Sequence, residues 1–260
     1  MTYNILDGGI DSNGSRIEYI IDTIKKEKPD FVAIQEAHNF DNNENELLKK
    51  VSDAIKLPYY ALSQGTLDDD KERSHVVSLS RYPLQEEYLF PNFTFQCAAL
   101  SVVIDSPLGK LSICNIHLHA HSGDERVRAG DERVREAEMV LSYQSKYSKH
   151  IILGDFNSLS RLDNHGDLSA REFTWYDLAR FEATDIFNMY YIDAVVHTNI
   201  DDRSTHPTIG VTHRISKTPI RIDYVFLTPS LSTHIKNAKI IKTPTAEKAS
   251  DHYPVVVTLG

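Results

Sequence analysis

Ile151-Ile152-Leu153-Gly154-Asp155-Phe156-Asn157 is the stretch on which the reading of this chain turns. A short apolar run bounded by glycine and polar residues predicts a strand buried on both faces. It ends in an acid and an amide. Side chains two apart in an extended segment point the same way, so Asp155 and Asn157 would emerge together. Asp155 could then take a proton or orient a water, and Asn157 could offer a neutral N–H to an oxyanion. The tetrapeptide alone reads equally as a turn, where Asp and Asn are common for local reasons.

Around this stretch, strands and helices interleave. Thr2 to Leu6 is strand-like and opens into the Asp7-Gly8-Gly9 turn. Ser15 and Glu18 have the spacing of a capping box, followed by Ile17, Ile20, Ile21 and Ile24 at helical spacing up to Pro29. Asp30 to Ile34 predicts a second buried strand, ending in Gln35-Glu36. Leu47, Leu48, Val51 and Ile55 mark another amphipathic helix. Val76 to Ser80 reads as a strand. Ala98 to Ile104 and Leu111 to Leu118 read as a hairpin turning at residues 107–110 and delivering His117, His119 and His121. Asp124 to Tyr143 predicts a surface helix with Gly130 as a potential break, and Phe173 to Asn188 another helix. Arg221 to Leu227 is a strand carrying Asp223, and Tyr253 to Leu259 is the last. The hairpins argue against a purely parallel sheet. Two mixed sheets face to face with helices outside are expected, in a single domain over residues 1–260.

The composition, 41% hydrophobic and 25% charged, is that of a globular protein rather than a disordered one. No apolar run is long enough to span a bilayer and no basic-then-apolar leader opens the chain, so a cytoplasmic protein without a membrane partner is expected. Cys97 and Cys114 sit in apolar stretches and read as reduced, buried thiols. The net charge of −9 argues against a protein that coats long nucleic acid, which needs a broad basic surface. It is compatible with a carboxylate-rich divalent-metal site.

Asn4, Glu36, His117, Asp155 with Asn157, and Asp223 all fall at strand ends, and Asp251-His252 stands just before the last strand. Each alone has an ordinary explanation: a capped turn, a solvent-facing acid, a satisfied core histidine, an ion-paired aspartate. An acid or histidine at the end of nearly every core strand is instead the pattern of a metal-assisted hydrolase, with its groups gathered across a rigid scaffold.

The motifs Thr-Tyr-Asn-Ile, Gln-Glu, Ile-His-Leu, Gly-Asp-Phe-Asn, Arg-Ile-Asp-Tyr-Val-Phe and Ser-Asp-His-Tyr-Pro-Val run from residue 2 to residue 255. In that order they resemble the endonuclease/exonuclease/phosphatase superfamily, which includes deoxyribonuclease I-like enzymes. The resemblance implies a four-layered α/β sandwich and Mg2+- or Mn2+-dependent phosphoester hydrolysis. It implies Glu36 as the main metal ligand, Asn4 close to metal and phosphate, and Asp251 as a second metal ligand or a support. His252 would activate the attacking water or hold the scissile phosphate, with Asp223 orienting its ring. Asp155 would position or deprotonate the nucleophile, Asn157 would bind a non-bridging oxygen, and His117 would steady the phosphorane or leaving group. Some members of the group carry an acid two residues after the first-strand Asn. Here Leu6 stands there and Asp7 is one further on, which leaves Asp7 doubtful as a ligand. His75, His119 and His121 match no motif and read as surface or supporting residues. A histidine-rich site would suggest zinc, but acids dominate.

The branch is open at this level. Asn115-Ile116-His117-Leu118 departs from the Tyr-containing segment of abasic-site endonucleases. His-Leu-His-Ala at 117–120 resembles neutral sphingomyelinases, and Thr-Tyr-Asn-Ile also suits tyrosyl-DNA phosphodiesterase-like enzymes. A monomeric nuclease or phosphodiesterase is expected, with nucleic acid among the candidate substrates. A phosphomonoesterase or sphingomyelinase-like enzyme on a small ester is the runner-up, and an inactive binding module the third reading. Loops 37–45, 64–74, 158–172 and 201–218 would set specificity. Arg73, Arg161, Arg203, Arg214 and Lys217 are candidates there for phosphate contacts, although solvated charge is the ordinary role of such residues.

Overall fold

The computed structural model describes residues 1–12, 14–66, 74–91, 95, 97–119, 126–165, 181–210 and 219–260. The strands are β1 (Thr2–Asn4), β2 (Ile10–Asp11), β3 (Gly14–Ser15), β4 (Phe31–Gln35), β5 (Tyr59–Ser63), β6 (Val76–Ser80), β7 (Leu84–Leu89), β8 (Ala98–Ser106), β9 (Gly109–His117), β10 (His150–Asp155), β11 (Ile192–Asp193), β12 (Asp223–Leu227), β13 (Ile235–Ile240) and β14 (Val255–Leu259). The helices are α1 (Ile17–Glu27), α2 (Asn42–Ile55), α3 (Arg126–Gln144), α4 (Glu182–Tyr190), α5 (Ala194–His197) and α6 (Pro244–Ala249).

Two six-stranded sheets form, in the orders β13-β14-β1-β4-β6-β5 and β11-β12-β10-β9-β8-β7, with β2-β3 a separate ribbon. Each large sheet has one parallel pair at its centre, β1 with β4 and β10 with β9, among antiparallel neighbours. Ile151 and Leu153 enter the core shared by the two sheets, alongside Phe31, Ala33, Leu100, Val225 and Val255. Ile152 faces the other way, into a layer with Ala137 and Val140 of α3 and Phe187 of α4. Burial of one such side chain contributes roughly 1.5–3 kcal/mol. The isoleucines of α1, with Leu48 and Val51 of α2, cover the outer face of the first sheet. The layers are therefore helix, sheet, sheet, helix, the expected four-layered sandwich.

A polar bridge crosses the apolar core next to the site. Gln35 Nε2 donates to Asn115 Oδ1 (2.7 Å), and Asn115 Nδ2 donates to the carbonyls of Ile34 and Val77. These buried groups satisfy one another, so the bridge pins the ends of β4 and β9 in register instead of weakening the core.

Several local expectations change. The capping box is absent: Arg16 holds the N-cap position, and Ser15 Oγ accepts from Ile17 N at 3.4 Å. The Arg16 guanidinium is instead buried on the carbonyls of Ile5, Leu6 and Ala249, so its position follows those acceptors. Helix α3 runs unbroken through Gly130, and it is not a pure surface helix, since Glu136, Ala137, Val140 and Gln144 are buried. Of the helix expected over 173–188, residues 182–188 are helical within α4, and its start lies outside the described residues. The β8–β9 hairpin turns at Pro107-Leu108, as expected. Cys97 and Cys114 are free and buried.

Candidate active site

The two central parallel pairs end at the same edge of the sandwich. In the register of the second sheet, Asp155 lies beside His117 on one side and Asp223 on the other. Three strands thus deliver an acid, a histidine and a second acid in one row. Gly154 makes the approach possible: at φ 149°, a Cβ there would lie 1.8 Å from the carbonyl oxygen of Ile116. Only glycine fits.

From the first sheet, Asn4 reaches across the gap. Its Nδ2 donates to Glu36 Oε1 (2.8 Å) and to Asp155 Oδ2 (3.0 Å), while its Oδ1 accepts from Leu6 N. One buried amide therefore joins the two carboxylates contributed by the two sheets. Asp251-His252 closes the ring from the β14 side. His252 Nδ1 bonds Asp223 Oδ2 at 2.9 Å, and Nε2 lies 3.9 Å from Asp155 Oδ2 and 4.0 Å from Asp251 Oδ1. Ser250 Oγ holds this turn, donating to the Asn4 carbonyl and accepting from His252 N. Asn157 N donates to Asp155 Oδ1 (2.8 Å), and one hydrogen of its side-chain amide goes to the Leu118 carbonyl. His117 sits with Nε2 3.7 Å from Asp155 Oδ2 and Nδ1 3.0 Å from Ser74 Oγ. Leu6, Asp7, Glu36 and Asn157 all have positive φ. Such strain gathers at sites that the surrounding packing over-determines.

The electrostatics follow from four carboxylates in a buried pocket. Burial raises the Asp155 pKa and the neighbouring Asp223 raises it further. Burial disfavours a charged His252, but Asp223, Asp251 and Asp155 together lift its pKa well above the usual imidazole value. Burial likewise opposes charge on His117. The Cys97 sulfur, Asp155 and Glu36 outweigh it and raise the pKa to about 10. At Glu36 burial pushes upward, yet the His117 charge and the Asn4 hydrogen bond leave the carboxyl below its ordinary range.

All the site residues named from the sequence (Asn4, Glu36, His117, Asp155, Asn157, Asp223, Asp251 and His252) thus meet in one place. Ligand-capable atoms of Asp155, Asp223 and His252 lie within 4.8 Å of one another, as do those of Glu36, His117 and Asp155. Each group sets two carboxylates beside an imidazole, a donor set able to hold a divalent cation. Asp251 groups with His206 and His252, its Oδ2 lying 3.6 Å from His206 Nε2.

His206, Ser74, Cys97 and His38 belong to the surroundings of the site, and no motif marked them. His75 and His119 are not at the surface: each is buried against a carboxylate, Asp41 and Glu132 respectively. Arg161 and Arg203 are ion-paired with Asp185 and Asp163. Arg73, His121, Arg214 and Lys217 lie outside the described residues.

The model of the endonuclease/exonuclease/phosphatase family matches residues 1–252, and the chain belongs to that family of phosphoester hydrolases. No curated protein matches the chain by sequence. Among solved structures it is similar to an endonuclease/exonuclease/phosphatase from Beutenbergia cavernae (20% identity, TM-score 0.71, covering 100% of this chain and 70% of that one). It is also similar to an AP endonuclease from Archaeoglobus fulgidus (17%, 0.70, covering 99% and 97%). A third is a 3′ phosphatase from Neisseria bound to product DNA hairpin (14%, 0.69, covering 100% and 98%). No helix among the described residues is long and apolar enough to cross a membrane.

Proposed function

We propose that this chain is a divalent-metal-dependent phosphodiester hydrolase, a nuclease or phosphodiesterase, acting as one domain and as a monomer. The carrying observation is the Asp223–His252 pair, with the free edge of its imidazole turned toward Asp155 and Asp251. Glu36 would hold Mg2+ or Mn2+, with Asn4 beside it and Asp251 as a second candidate ligand. When bound, the cation neutralises charge that builds on the phosphoryl oxygens.

The chain's own groups divide the remaining work. Asp155, whose raised pKa makes it a better base than an ordinary aspartate, orients the attacking water and takes its proton. His252, kept charged by Asp223, donates from Nε2 to a non-bridging oxygen of the scissile phosphate. Asn157 keeps one amide hydrogen on Leu118 and offers the other to the same group. His117, with Ser74 fixing its ring, steadies charge on the leaving oxygen. The similar AP endonuclease from Archaeoglobus fulgidus and the Neisseria 3′ phosphatase bound to product DNA hairpin put nucleic acid first among the substrate candidates.

The test is hydrolysis of bis-(p-nitrophenyl) phosphate and of single- and double-stranded DNA, with Mg2+, Mn2+ or EDTA. Turnover should require the metal and fall about 10²- to 10⁴-fold in His252→Ala. Cleavage persisting in EDTA or in His252→Ala would sink the mechanism. Activity confined to phosphomonoesters would replace the diesterase reading.

A further inference from the structure

Glu36 also belongs to a second group of donor atoms. Ligand-capable atoms of Asp7, Glu36 and His38 lie within 4.8 Å of one another. Asp7 Oδ1 is 3.7 Å from His38 Nδ1, and Asp7 N donates to Glu36 Oε2 at 3.1 Å. The His38 ring is buried, whereas the Asp7 carboxylate is 43% exposed. The two loops that carry them are clamped together. Gly8 N donates to the Glu36 carbonyl at 2.7 Å, and a Cβ on Gly8 would lie 2.3 Å from the His38 carbonyl oxygen. The left-handed run from Leu6 to Gly9 thus lays the Asp7 segment against Glu36 and His38.

We infer that Asp7 and His38 join Glu36 in holding the divalent cation, and that the His38 nitrogen biases the site toward Mn2+ over Mg2+. The inference rests on the function proposed above and sharpens its metal. Mg2+ prefers oxygen ligands and retains several waters. An imidazole donor among carboxylates favours first-row transition ions instead. One imidazole, one half-exposed acid and the family's own metal acid supply three donors of two kinds. The open side of Asp7 leaves room for water and a phosphate oxygen.

Binding of Mn2+ and Mg2+ to the full chain, read by calorimetry, tests this without relying on turnover. Electron-spin-echo spectra of bound Mn2+ report a directly bonded nitrogen. Wild type should show nitrogen modulation that disappears in His38→Gln and persists in His117→Gln. Mn2+ affinity should fall roughly tenfold or more in His38→Gln, since even partners outside the ligand shell cost about that much. Mg2+ affinity should fall less. Asp7→Asn, altering a half-exposed group, should weaken Mn2+ binding with the melting curve intact, and serves if His38→Gln does not fold. Mn2+ bound without nitrogen modulation, or modulation lost only in His117→Gln, overturns the inference and leaves the hydrolase reading standing. A wild type that neither binds a divalent cation nor turns over any phosphoester overturns both.

Discussion

Arg221 and Asp223 are two residues apart and both buried, yet their surroundings are opposite in kind. The Arg221 side chain is 1% exposed, and its guanidinium meets Asp163 at 2.8 Å and Asp193 at 2.7 Å. Arg203 adds a second cation on Asp163, and Asp193 also accepts from Val195 N and Val196 N at the start of α5. Permanent cations and acids balance there, and the cluster ties the loops around 163 and 203 to the sheet. Around Asp223 the acids Asp155, Asp251 and Glu36 lie among histidines, whose charge is lost on deprotonation. A balanced buried cluster holds structure together. An unbalanced one is an electrostatic demand for a cation or an anionic substrate's counter-charges, and such imbalance is characteristic of working sites.

Substitutions on either side should separate the two. Asp155→Asn should cost about 10²- to 10⁴-fold in turnover while leaving the metal-free melting temperature unchanged or higher, because a buried acid with a raised pKa has been neutralised. A clear loss of stability would make Asp155 a structural residue like its counterparts Asp163 and Asp193. Arg221→Met should do the reverse, losing roughly 3–5 kcal/mol of unfolding free energy by removing the buried cation that Asp163 and Asp193 share. Denaturant titration measures this, and a loss under about 1 kcal/mol, the usual worth of an exposed pair, would contradict the balanced-cluster picture.

Mn2+ should raise the melting temperature and EDTA should reverse it. The gain approaches about 2.7 kcal/mol at a hundred times the dissociation constant. Absence of any shift would deny the imbalance its cation. The smallest effect is on pH. The His117 pKa is raised in the folded protein from 6.5 to about 10, so its contribution to stability is full below pH 6.5 and is lost as pH rises toward 10. In EDTA the melting temperature should fall across that window, and fall less in His117→Asn. Equal slopes would remove His117 from the group of charged histidines.

The strands legible in the sequence were interior ones, and those missed were edges. Tyr59–Ser63, Leu84–Leu89 and Ile235–Ile240 form three of the four edges of the two six-stranded sheets. Leu84–Leu89 is exposed over most of its length, and Ile235–Ile240 over half. Edge strands carry charged residues against unwanted pairing, and the Gln-Glu-Glu of one and the Lys-Asn-Ala-Lys of another hide the apolar alternation. The helix Pro244–Ala249 is too short for a period to show. At the site, groups at strand ends were visible because a buried strand that stops in a carboxylate breaks its own apolar pattern. His38, Ser74 and His206 lie on loops, where no periodicity marks one polar residue above another.

The sequence by itself determined the layered fold and the eight polar groups at the ends of its core strands, since apolar runs and the residues that interrupt them are local properties of the chain. Only the tertiary structure decided which of those groups face one another: that Asn4 joins Glu36 to Asp155, that Asp251 groups with His206, and that Asp7 and His38 stand beside Glu36. Those pairings depend on strand register and on the close approach of the two sheets, and contacts between segments 29 to 151 residues apart in the chain leave no trace in local composition.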